Sequence, residues 1–160
     1  MPYPKSSSHP KIALTIAYIL TLIVTLSAAM ASYYTVHKIG YGIEPKSPTA
    51  INIYRIILIF IIITIPLTLK GFNMGLKRVR AIEDETIRNN RYKQLGVARI
   101  IIIGIGLIAS VIGFYFLQEQ SLIWLAGISA IALIICKPNE KKIDNDLAPE
   151  VIEDAKESEL

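Results

Sequence analysis

A single cysteine, Cys136, stands among the 160 residues. One thiol cannot close a bridge within the chain, so a disulfide scaffold is excluded, and so is a quinone-linked thiol oxidase, whose chemistry needs a dithiol. Histidine occurs twice, as His9 and His37. A long apolar run separates them and puts them on opposite sides of a membrane, which excludes a shared metal ion within one chain. There is no H-E-x-x-H, no G-x-S-x-G and no Walker-type glycine loop, and no asparagine begins a glycosylation sequon. Gly104-Ile105-Gly106 is a fragment of a nucleotide-binding pattern, but it lies inside an apolar run and reads as packing. No catalytic, cofactor-binding or metal-binding residue emerges, and the chain reads as non-enzymatic.

The absence that matters most is of charge. Hydrophobic residues make up 52% of the chain and the mean hydropathy is +0.47. Intrinsic disorder of the whole chain is thereby excluded. The charges are crowded into a few segments and leave four apolar runs, at about 12–32, 50–69, 97–117 and 121–136. A bilayer core of about 30 Å takes roughly 20 apolar residues as a helix. Strands are a poor alternative, because barrel strands alternate in polarity and the IIII at 100–103 does not. The expected fold is therefore an all-α integral membrane domain over 1–137, with four transmembrane helices arranged as two antiparallel hairpins. An acidic cytoplasmic tail, 138–160, follows it. The first run ends in Ala29-Met30-Ala31, which resembles a signal-peptidase site. The run is longer than the usual signal core, so it reads as an uncleaved span.

Orientation follows from the basic residues. The N-terminus carries Lys5 and Lys11, segment 70–99 carries eight, and the C-terminal side carries Lys137, Lys141, Lys142 and Lys156. The opposite side carries Lys38, Lys46 and Arg55, a division of 14 against 3. Both termini are expected in the cytoplasm of a multi-pass protein, with a bacterial inner membrane as the favoured location. Tyr33, Tyr34, Tyr41, Tyr54, Phe114, Tyr115, Phe116 and Trp124 suit the outer boundary.

Between the second and third runs, Leu76, Val79, Ile82 and Ile87 fall near helical spacing among basic residues. That pattern predicts an amphipathic cytoplasmic helix over about 76–91, bounded by Gly71 and Gly75. Lys77, Arg78, Arg80, Arg88, Arg91 and Lys93 are its candidate surface for anionic lipid headgroups or a protein partner. Nucleic acid is excluded as a partner, since no binding motif accompanies these charges. Segment 70–99 has a side-chain balance of 8 − 3 = +5 and the tail one of 3 − 8 = −5, so a weak electrostatic clasp between them is expected. Pro149 is expected to open a short final helix, and Pro66 to kink the second span.

Small residues supply the packing signal. Ser27/Ala31 and Ala28/Ser32 in the first run, Gly106/Ser110 and Ala109/Gly113 in the third, and Ala126/Ala130 in the fourth all stand at i,i+4. Such pairs let helix backbones approach closely. Gly106, Ser110, Gly113, Ala126 and Ala130 are the expected contact of the last two spans, with homo-oligomerisation as a second use. The expected function is that of an accessory, scaffold or interaction subunit of the membrane. The alternative is an oligomeric channel or transporter lined by hydroxyls such as Thr15, Thr21, Thr25, Thr64, Thr68, Ser110 and Ser129. The centres of all four runs lack the carboxylate on which proton-coupled export depends.

Overall fold

The computed structural model describes residues 10–40, 43–44 and 46–147. All regular structure there is helical. Helix α1 spans Pro10–Tyr34 and continues as a π-helical turn, Thr35–Ile39, up to Gly40. Gly40 has a positive φ of 74°, the left-handed conformation that ends a helix at little cost when the residue is glycine. Helix α2 spans Pro48–Arg80, α3 Glu85–Leu117, α4 Ser121–Ile135 and α5 Glu140–Leu147. Three of these, α1 with its π turn, α2 and α3, are long and apolar enough to cross a membrane. Helix α4 has only 15 residues, and it bends by 69° into α5.

The separate amphipathic helix expected over 76–91 does not exist. Helix α2 runs on through Pro66, Gly71 and Gly75 to Arg80, and α3 begins at Glu85. The break falls at 81–84, where the Asp84 carboxylate accepts from the backbone N–H groups of Thr86 and Ile87 and caps α3. Leu76 and Val79 are buried in the last turns of α2, whereas Ile87 is exposed at the start of α3. Gly75 is a contact rather than a break: a Cβ there would meet Leu95 Cδ1 of α3 at 2.8 Å. The final helix expected from Pro149 lies outside the described residues. A shorter helix, α5, stands before it.

Helix α3 is the centre of the fold. It packs against α1, α2 and α4, and α1 leans on α3 rather than on its sequence neighbour α2. The expected pairing of the first two spans as a packed hairpin is therefore replaced. Backbone directions follow from the contacts. Along the α1–α3 contact, Leu14 meets Gly96, Thr21 meets Gly104 and Tyr33 meets Tyr115. The offset is nearly constant, so these helices run parallel. Gly75 meets Leu95 and Gly113 meets Ile57, so α2 and α3 run antiparallel about the 81–84 turn. Gly113 also meets Leu122, and a Cβ on Gly106 would lie 3.8 Å from Ser129 Oγ, which makes α3 and α4 antiparallel as well.

Two glycine faces on α3 make this possible. Gly104 and Gly106 are two residues apart, which is about 200° around a helix. A Cβ on Gly96 would come within 2.5 Å of Leu14, and one on Gly104 within 2.4 Å of Thr21. On the other side, Gly113 would meet Ile57 at 3.0 Å and Leu122 at 3.1 Å. With helices on both faces, α3 contributes Ile100, Ile103 and Leu107 to a core that also holds Leu14, Phe72, Leu76, Ala132 and Leu133. A second cluster, Ala50, Ile61, Leu117, Leu122 and Leu125, lies toward the other end.

Candidate functional site

The two ends of the bundle differ in chemistry. One end carries the 81–84 turn, the start of α1 and helix α5, and is rich in basic residues. The other is aromatic: Tyr33 stacks near His37 at 4.8 Å and Tyr115 at 6.2 Å, and Phe114 meets Tyr115 edge-on. Ile43 N–H donates to the Phe116 carbonyl, and the Ser47 hydroxyl caps α2 by accepting from Ala50 N–H. Between the ends the helices carry no charged side chain from just beyond the level of Arg99 and Lys70 to that of Arg55, which lies opposite residue 115 of α3 by the antiparallel register. That belt is about 22 Å deep, from roughly 15 residues of helical rise.

The basic end is tied together by polar contacts. The Arg99 guanidinium stacks over the Phe72 ring, 3.8 Å from its centroid. Phe72 in turn meets Tyr92 edge-on at 6.0 Å. The Tyr92 hydroxyl donates to Asp146 Oδ2 at 3.0 Å, which fastens α5 to α3. Arg80, at the end of α2, donates from Nε to the Asp146 carbonyl at 2.8 Å and from Nη2 to the Asn145 carbonyl at 3.4 Å. These carbonyls are at the C-terminal end of α5, where a cation is favoured by the helix dipole. Lys142 Nζ donates to the Ile135 carbonyl, and Lys11 forms an ion pair with Glu140. Ile143 is the apolar anchor of α5, and Cys136 is a buried free thiol at the end of α4.

The expected clasp between segment 70–99 and the tail thus has a structural counterpart in residues 140–147. Among the described residues it works through the Arg80 contacts to main-chain carbonyls, the Tyr92 hydroxyl on the Asp146 carboxylate and the Lys11–Glu140 pair. Of the six basic candidates, Lys77, Arg78 and Arg91 are exposed, Lys93 is half-buried, Arg80 holds α5 and Arg88 is half-buried beside α1 and α5. The structure brings Arg80 and Arg88 to the ends of other helices and leaves Lys77, Arg78 and Arg91 on the outside. Among the packing candidates, Gly106, Ser110 and Gly113 are buried in α3, and Ala126 and Ala130 are half-buried against the core. Sequence reasoning missed the Arg99–Phe72–Tyr92–Asp146 chain. The one available signal was an aromatic and an arginine at the inner ends of neighbouring spans.

A groove of about 810 Å³ lies between the first turns of α1 and α3 and the length of α5. Ile12 and Ile16 form its α1 wall, Ile143 and Leu147 its α5 wall, and Glu85, Arg88 and Asn89 face it from α3. The Arg88 Nε is buried and has no hydrogen-bond partner.

Four hydroxyls of the belt are turned back on their own helices, whereas Thr64 and Thr68 of α2 are not. Thr21 donates to the Ala17 carbonyl, Thr25 to Thr21, Ser27 to Ile23 and Ser110 to Gly106, all between 2.8 and 2.9 Å. Ser129 Oγ is buried at the α3–α4 contact and makes no hydrogen bond. Among the described residues, no group of three His, Cys, Asp or Glu side chains is placed to hold a metal ion. Comparison of the chain with protein-family models, curated proteins and solved structures yields no match.

Proposed function

We propose that the chain is a multi-pass membrane protein of non-enzymatic accessory or scaffold type. In this reading it spans the bilayer four times, with both ends in the cytoplasm of a bacterial cell and its basic end as the working surface. Helix α4 makes the fourth crossing. It runs beside α3 from residue 113 to about residue 100, almost the full depth of the charge-free belt, and returns the chain to the basic end before bending into α5. A span shorter than the bilayer core is accommodated by local thinning and by snorkelling of flanking residues such as Lys137.

The observation that carries the functional reading is the division of polar chemistry. Within the belt, Thr21, Thr25, Ser27 and Ser110 spend their donors on their own helices. A solute crossing the belt would find few free polar partners. At the basic end, Lys77, Arg78 and Arg91 are exposed on helices whose neighbours are already held. That surface suits lipid headgroups or an acidic protein partner. Long apolar faces of α1 and α2 also remain uncovered, with 11% of the most apolar stretch of each buried within the chain, and they suit lipid or a second membrane protein.

The test is extraction of the chain from its native membrane in mild detergent, followed by native mass spectrometry. A stoichiometric heteromer is the expected result. A symmetric homo-oligomer that conducts ions in a planar bilayer would replace this reading with the channel.

A further inference from the structure

We propose that the groove between α1, α3 and α5 binds the headgroup region of a phosphatidylethanolamine-type phospholipid, with its phosphate on Arg88 and its ammonium on Glu85 and Asp144. The proposal rests on the reading of this end as lying at a membrane surface. It deepens that reading by assigning a lipid class.

The volume of about 810 Å³ lies within the range of small-molecule pockets, roughly 300–1,000 Å³. The groove also lies where a phospholipid changes from chain to headgroup. Its α1 wall is Ile12 and Ile16, which are 57% and 60% exposed and continue the apolar outer surface of α1. Its α3 wall is the polar first turns, Glu85, Arg88 and Asn89. A free phosphate would use only the second wall. A lipid uses both, one acyl chain lying along Ile12 and Ile16.

The Arg88 Nε is desolvated without an acceptor. That atom is closed to the groove, but the Nη groups of Arg88 stay accessible, and a phosphate oxygen is the acceptor a guanidinium pairs with best. The lining as a whole does not favour an anion, however. Among the described lining residues, Lys11 and Arg88 stand against Glu85, Glu140 and Asp144, a balance of 2 − 3 = −1. Lys11 and Glu140 pair with each other. What remains is one cation and two carboxylates, a pattern that a zwitterionic headgroup complements and a glycerol or inositol headgroup does not. The carboxylates also distinguish ethanolamine from choline. A primary ammonium donates hydrogen bonds to them, whereas a quaternary ammonium cannot and is held by aromatic faces. Among the described residues, none that lines the groove is aromatic.

The experiment uses the full chain, purified in detergent and stripped of lipid. It is titrated with phosphatidylethanolamine, phosphatidylcholine and phosphatidylglycerol of identical acyl chains, and bound lipid is counted by native mass spectrometry. Ethanolamine lipid is expected to be retained about tenfold over the other two, the scale of one added charge-assisted contact. Arg88→Gln should lower the affinity for both zwitterionic lipids. Glu85→Gln with Asp144→Asn should bring ethanolamine and choline lipids to parity. Asn73→Ala, on the exposed surface of α2 and outside the groove, should change neither. Ile16→Trp fills the groove from its apolar wall and should abolish retention without touching a charge, so a misfolded charge variant does not decide the matter. Equal retention of all three lipids, a preference for the glycerol headgroup, or an ethanolamine preference that survives both charge variants would overturn the proposal. Only chain and lipid are present, so the absence of a protein partner in the extraction experiment has no bearing on this outcome.

Discussion

Helices α1 and α3 are both long, both apolar and parallel to one another, yet 11% of the most apolar stretch of α1 is buried within the chain and 44% of that of α3. Hydropathy does not separate them. Glycine does: α1 has none, whereas α3 has Gly96, Gly104, Gly106 and Gly113 on two opposite faces. In lipid, an apolar side chain gains nothing from leaving one hydrocarbon environment for another, so association is driven by close packing. A helix whose backbone can be approached from two sides becomes the centre, and its neighbours arrange themselves around it. Helix α1 offers Leu14 and Thr21 as knobs to those glycines and leaves most of its surface uncovered within the chain.

The largest effects should come from closing the glycine faces. Gly104→Leu and Gly113→Leu would each drive a side chain into a fixed neighbour, Thr21 in the first case and Ile57 with Leu122 in the second. Overpacking of this kind costs about 1–3 kcal/mol, read as a fall in melting temperature in detergent. Gly127 of α4 has nothing within 4 Å of its Cβ position, and Gly127→Leu should leave stability within about 0.5 kcal/mol of the parent. Equal losses at Gly104 and Gly127 would remove the distinction between a glycine face and an ordinary lipid-facing glycine.

A smaller effect is expected where the basic end is fastened. Arg99→Met keeps the apolar stem and removes the guanidinium that stacks over Phe72. A partly desolvated cation–π contact contributes about 1–2 kcal/mol, and the loss should be independent of salt, unlike that of a surface ion pair. An Arg99 that merely reaches for headgroups would give no change in detergent.

The smallest effect belongs to Tyr92→Phe. It removes one hydrogen bond, from the hydroxyl to Asp146, and should cost about 1 kcal/mol. Its local signature is clearer: limited proteolysis should cut between α4 and α5 faster, because α5 keeps Ile143 and the Arg80 contacts but loses its side-chain hydrogen bond to α3. An unchanged cleavage rate would mean that Arg80 and Ile143 hold α5 without Tyr92.

Several elements were legible in the sequence for plain physical reasons. The apolar runs mark where a backbone can be solvated only by itself, and the structure places a helix over each. The small pairs in the third and fourth runs mark a face, and Gly106, Ser110 and Gly113 are buried in it. The partner of α1 was not legible. Hydropathy carries no direction, and the deciding contacts, Leu14 on Gly96 and Thr21 on Gly104, join residues more than 80 positions apart. Gly71 and Gly75 read as a boundary because glycine weakens a helix in water. Packing outweighs that weakness here, since Leu95 fills the space over Gly75. Helix α5 escaped notice because eight mostly polar residues carry little periodicity beyond Ile143 and Leu147. The groove depends on all three helices at once and has no sequence signature.

The central claim is that α1 lies parallel against α3, and intramolecular cross-linking tests it most directly. In a Cys136→Ala background, cysteines replacing Tyr33 and Tyr115, whose rings stand 6.2 Å apart, are treated with a short bis-maleimide in membranes. Cysteines replacing Tyr33 and Tyr92 serve as the second pair. Cross-linking of the first pair within one chain, and none of the second, is the expected result. Cross-linking of Tyr33 with Tyr92 but not with Tyr115 would place α1 antiparallel to α3 and contradict the arrangement.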